Sequence, residues 1–196
     1  MIYLLREALK SNSYRYEKSY RAFHHPNVDY INMGIFHDYM LKVYFIKPTP
    51  GLLVEPHSHA YPFEQHVLDG SVTNITYGEG SKIGLPISGY NKFDYESPLN
   101  NGSGFTLVQE NIDFECTSIA SYGRYGKYSL GIYDIHTIRV EVPTILFTIQ
   151  FNDQVKKTQF YSLSKEPPSI QGLYQPWTIE KFHRKLDRLE ELLKRI

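Results

Sequence analysis

Residues 51–71 read GLLVEPHSHAYPFEQHVLDGS, and the reading of the fold turns on this stretch. His57 and His59 stand two apart, bracketed by Pro56 and Pro62, ahead of an apolar run that ends in a turn at Gly70. In extended backbone, alternate side chains leave on the same side, so both imidazoles are presented to one face. Neutral imidazole is a ligand for Fe, Zn, Ni, Cu or Mn, and two on one face make a preorganised pair. A third ligand must come from elsewhere in the chain. His136 is the best placed, since it follows the acidic turn at Asp134 and opens the run HTIRVEV (136–142). Three protein ligands leave coordination positions open, which catalysis needs and a closed structural site does not.

Outward from this stretch, short runs rich in β-branched and aromatic residues recur. They are LKVYFIK (41–47), QHVL (65–68), SVTNITY (71–77), GFTLVQ (104–109), FECTSIASY (114–122), KYSLGIY (127–133), HTIRVEV (136–142), ILFTIQF (145–151) and KTQFYSL (157–163). Gly, Asn, Asp and Pro divide most of them. About eight strands at such spacing, with no helix between them, predict an all-β antiparallel barrel or jelly roll. Residues 78–104 read as a long turn-rich insertion, a length that in compact domains is often functional.

The ends differ from the middle. The first ~35 residues read as partly helical and peripheral, with an apolar face over 3–9 and a break at His24-His25-Pro26. At the C-terminus Thr178 stands as an N-cap. Beyond it Ile179, Phe182, Leu186, Leu189, Leu193 and Ile196 form one apolar stripe at helical spacing. Packing on the outside of the barrel is favoured for this helix over a helix-mediated dimer. The expected organisation is one domain over 1–196, with an extension over 1–39, a barrel core over about 40–163 and a helix over 178–196.

Bulk properties narrow the partners. Lys plus Arg and Asp plus Glu are 21 each, which offers no electrostatic attraction to nucleic acid or an anionic membrane. A single cysteine, Cys116, rules out an internal disulfide and suits a reducing compartment. MIYLLREAL is interrupted early by Arg6 and Glu7 and lacks the form of a signal peptide. The expectation is a cytoplasmic protein.

Gly51, five residues, His57-Ser58-His59, and then Gly70 resemble the first motif of the cupin superfamily, G-x5-H-x-H-x3,4-E-x6-G. The second motif, G-x5-P-x-G-x2-H-x3-N, is matched only at His136, with Gly131, Tyr133 and Val140 in place of its Pro, Gly and Asn. The resemblance covers roughly residues 40–152. It implies a cupin-type double-stranded β-helix and one divalent metal, Fe(II) first, with Zn, Ni or Mn as alternatives. A small-molecule substrate, O2 and homodimerisation are further implications. Counting back from Gly70 puts Phe63 where the family has its ligand glutamate, with Glu64 next door. Either a shift of register lets Glu64 join the histidines, or the site is three-histidine, which resembles the cysteine dioxygenase branch. Period-two geometry favours the second, because Phe63 shares a face with Val67 and Asp69 while Glu64 points away with His66.

The leading expectation is a mononuclear non-haem iron dioxygenase acting on a small polar substrate, with a thiol suggested by the resemblance. The alternatives are a metal-dependent isomerase or lyase acting on a sugar or keto acid, and a non-enzymatic binding barrel. Arg124 and Arg139 are the cations nearest the second half-site and suit a substrate carboxylate. Tyr44, Tyr61, Tyr77, Tyr128 and Tyr133 lie in or beside strands. His24 and His25 read as solvated, and Cys116 as a small buried residue.

Overall fold

The computed structural model describes residues 2–79, 85–97, 101–169 and 171–195. Among them the chain forms two antiparallel sheets, and the all-β jelly roll with a C-terminal helix is the architecture found. The larger sheet contains β1 (Tyr20–Arg21), β2 (Val28–Phe36), β3 (Tyr39–Ile46), β4 (Phe63–Asp69), β8 (Lys127–Leu130), β10 (Thr144–Gln150) and β12 (Gln175–Pro176). Their spatial order is β12-β1-β2-β3-β10-β4-β8. The smaller sheet contains β5 (Ser71–Glu79), β6 (Leu85–Glu96), β7 (Gly104–Gly123), β9 (Ile135–Arg139) and β11 (Thr158–Ser162), in the order β11-β6-β7-β5-β9. The chain crosses between sheets at Gly70, the last glycine of the first motif. There φ is +79°, and a Cβ would stand 2.5 Å from the Pro143 carbonyl oxygen, so a side chain is refused on both counts.

Strand parity sorts the larger sheet into two faces. Ile31, Val43 and Phe147 are register partners across β2, β3 and β10, and all are fully buried on the outer face. Helices α1 (Ile2–Lys10) and α2 (Ile179–Lys194) cover that face, completing a core with Leu5, Leu9, Phe182, Leu186, Leu189 and Leu193. Lys185 of α2 reaches Asp29 of β2 at 3.0 Å, and Arg6 of α1 donates to the Leu193 carbonyl at 2.7 Å. The apolar stripe thus packs on the barrel as expected, although Ile179 is exposed and Ile196 lies outside the described residues. Thr178 occupies the N-cap position without a side-chain capping bond.

The inner face carries Tyr30, Tyr44, Leu146 and Val67 in one row. Beside it runs a polar row, Asn32, Lys42, Thr148, Gln65 and Tyr128.

Three sequence expectations are corrected. Val28–Phe36, placed in a partly helical extension, is a strand deep in the larger sheet. Its β-branched content was masked by the tyrosine-rich segment before it, of which only Tyr16–Lys18 makes a helical turn. The runs 104–109 and 114–122 are one continuous strand, β7. The 78–104 insertion is largely sheet, with Leu85–Glu96 pairing along β7. The alternation Phe93, Asp94, Tyr95, Glu96 had been hidden by Gly- and Asn-rich flanks. Residues 80–84 and 98–100 of that stretch lie outside the described residues.

Phe182 is fully buried between Tyr14, Tyr16 and Trp177, with ring centroids 5.6, 5.1 and 6.4 Å away. Phe182→Ala should therefore cost about 3–5 kcal/mol of unfolding free energy in urea titrations, the range for an emptied aromatic core site.

Candidate metal centre

The segment between Pro48 and Pro62 holds the histidine pair and is not the regular strand expected. Four prolines, at 48, 50, 56 and 62, remove the amides a continuous ladder needs. Pairing survives at single points. His57 and His136 exchange both backbone hydrogen bonds at 2.9 Å, tying the segment to β9. On its other edge Ser58 pairs with Gln159 of β11, through its amide and its hydroxyl, each at 2.9 Å. The segment so fills the gap between the two edge strands of the smaller sheet. The H-S-H tripeptide is clamped on both sides.

That clamp brings His57, His59 and His136 together. Their ligand atoms all lie within 4.8 Å of one another. His136 Nδ1 lies 2.7 Å from Asn74 Oδ1 on neighbouring β5. Since that oxygen can only accept, Nδ1 carries the proton and Nε2 presents a lone pair. His57 Nδ1 likewise donates to the Glu55 carbonyl at 2.8 Å, leaving its Nε2 free. His59 Nε2 is 2.9 Å from His136 Nε2. The donor set fits a borderline transition metal.

Burial keeps these imidazoles in the neutral, ligating form. Desolvation is the main cause lowering the pKa of all three, and the potential of the neighbouring histidines adds to it at His59 and His136. Lys42 also contributes at His59.

Phe63 stands where a carboxylate ligand was in question, its ring 4.7 Å from that of His59 and 6.0 Å from that of His136. Glu64 is not brought to the histidines. It lies on the outer face, bonded to His66 and, at 3.2 Å, to Lys127. His66 shares that face, packing toward Phe147.

Of the other candidates, Tyr44, Tyr61 and Tyr128 line the barrel interior beside Phe63. Tyr77 belongs to a separate cluster with Tyr90 and Tyr161, and Tyr133 is 82% exposed. Neither arginine faces the interior: Arg139 pairs with Glu141 at 3.2 Å, and Arg124 lies over Tyr125. Instead Lys42 is the buried cation on the inner face of the larger sheet, missed because a lone lysine in an apolar strand reads as solvent-facing. His24, read as solvated, hydrogen-bonds Tyr174 at 2.8 Å. It is an exposed residue, and desolvation of its ring, with His57 and Lys42 adding to it, lowers its pKa. Asn74 and the Glu55 carbonyl carried no sequence signal.

No family model matches the sequence, and no curated protein does. Among solved structures, hydroquinone 1,2-dioxygenase PnpCD, in complex with Cd2+ and 4-hydroxybenzonitrile, is similar at 13% identity and a TM-score of 0.35. The match covers 62% of each chain. Hydroxypropylphosphonic acid epoxidase from S. wedmorenis matches at 9% identity and a TM-score of 0.39, over 70% of this chain and 57% of that one. The chain spans less than two thirds of either enzyme. Drosophila melanogaster CENP-C bound to CAL1 scores in the same range, at 11% identity and 0.37, over 76% and 93% of the two chains. Likeness at this level does not distinguish among functions.

Two outcomes are expected. Asn74→Ala should weaken metal affinity by about 10- to 100-fold, the usual effect of losing the partner that orients a ligand histidine; competition with a chelator of known affinity measures it. Because burial lowers the histidine pKa values, the unfolded chain binds more protons than the fold once the pH drops below about 6.5. Stability of the metal-free protein is then full near neutral pH and lost as the pH falls, by up to about 1.4 kcal/mol per unit per histidine. Urea titrations at pH 7 and pH 5 should show the loss, and His136→Gln should reduce it.

Proposed function

We propose that this chain is a single-domain, metal-dependent cupin whose one ion is held by His57, His59 and His136, and that it is a non-haem Fe(II) dioxygenase acting on a small polar substrate. The observation that carries the reading is three neutral imidazoles converging inside the barrel with Phe63 beside them and, among the described residues, no carboxylate in the group. Fe(II) in such a site would supply open positions where O2 and a substrate group meet.

The protein's own groups do the rest. Asn74 and the Glu55 carbonyl fix the tautomers of His136 and His57. Tyr44, Tyr61, Phe63 and Tyr128 wall the space beside the ligands and limit water there. The resemblance to the three-histidine branch supports a thiol among the substrates to try first. No helix among the described residues is long and apolar enough to cross a membrane.

Protein purified without chelator should contain about one iron per chain by elemental analysis. It should consume O2 with a thiol or another small polar substrate, and His57→Ala/His59→Ala should lose both metal and uptake. Stoichiometric zinc with no oxygen consumption would turn the reading to Lewis-acid chemistry, and a metal-free chain would overturn it altogether.

A further inference from the structure

Lys42 is 6% exposed, at the centre of β3 on the inner face of the larger sheet. Its Nζ donates to the Tyr61 hydroxyl at 2.9 Å and lies 4.5 Å from the centre of the Tyr61 ring and 5.9 Å from that of Tyr30. Tyr61 in turn stands 5.6 Å, ring to ring, from His59. Lys185, less covered at 23% exposure, has a carboxylate in Asp29. Among the described residues no Asp or Glu pairs with Lys42.

Two further groups on the same face of the sheet are unsatisfied. Thr148 is the direct register partner of Lys42 on β10, and its buried hydroxyl has no hydrogen-bond partner. Gln150, one pleat further along, has a buried carbonyl oxygen without one. An ammonium withdrawn from water is costly unless an opposite charge meets it, and a buried hydroxyl asks for a partner too. Three neutral ligands add to the demand, since a divalent ion there keeps both charges uncompensated.

We propose that Lys42, with the Thr148 hydroxyl beside it, is an anion-binding subsite on the inner face of the larger sheet, and that it seats the carboxylate of a small organic acid whose other end reaches the three histidines. Lys42 supplies two remaining N–H donors and Thr148 an O–H, a set that matches the acceptor oxygens of a carboxylate. Tyr44 and Phe63, with Tyr30 packed on Tyr44, give the body of the molecule apolar walls. The anion site stands on Lys42 and Thr148 alone. That its occupant is the substrate rests on the metal-enzyme reading above.

Benzoate and benzamide, alike in size and different in charge, are the probes, titrated calorimetrically into metal-free protein. Benzoate should bind at least about tenfold tighter than benzamide. Lys42→Met, close in shape and uncharged, should erase that preference, while Lys42→Arg should keep it. Thr148→Val should weaken benzoate by between about twofold and tenfold, the worth of one hydrogen bond. Equal binding of the two probes by the natural protein would overturn the proposal, as would absence of benzoate binding at millimolar concentration or a preference surviving in Lys42→Met. Should Lys42→Met fail to fold, the probe pair with the natural protein, Lys42→Arg and Thr148→Val still decides. Metal content is measured on the same samples. A chain that binds benzoate through Lys42 but no metal keeps the anion site and loses the enzyme reading; the reverse result keeps the metal centre and loses the subsite.

Discussion

The reciprocal backbone pair between His57 and His136 does two things at once. It closes the gap between β9 and β11, the edge strands of the smaller sheet, with a proline-rich segment that could not form a full strand of its own. It also sets the spacing of the ligand side chains, since His136 is fixed by β9 and His57 is fixed to it. The link Ser58 makes to Gln159 removes the remaining freedom of the tripeptide, and His59 follows from its neighbour. A loop that merely carried two histidines would have to order itself on binding an ion. Here the ordering comes with folding, through hydrogen bonds the barrel needs in any case.

Much of this was legible in the residues. Runs rich in β-branched and aromatic residues marked four strands of the larger sheet, β3, β4, β8 and β10, and the separation of Phe63 from Glu64 followed from the fact that a pleat alternates strictly. With Val67 inside, Phe63 had to be inside too, and Glu64 and His66 had to leave together. Illegible parts share a physical reason: they depend on partners distant in the chain. Asn74 is one of several asparagines until β5 is laid beside β9, where its amide meets His136. Lys42 looks like a surface lysine until β2, β10 and the Pro48–Pro62 segment enclose it. The Leu85–Glu96 strand has no apolar run that announces it, and forms because β7 offers a long edge to pair with.

The same pleat separates stability from chemistry. On the outer face of the larger sheet Ile31, Val43 and Phe147 meet two helices in an almost wholly apolar core. One residue away, the inner face sets Asn32, Lys42, Thr148, Gln65 and Tyr128 in a row across five strands. A polar row of that kind stabilises little, and its unsatisfied members cost free energy. Such a barrel holds together because its helices bury the opposite face of the same strands, offsetting the cost where no ligand has to enter. Substitutions at Val43 or Phe147 should therefore act on folding, and those at Lys42 or Thr148 on what the inner face binds. The division follows from strand parity alone: the residues that secure the sheet and the residues of the polar inner face alternate along the same backbone.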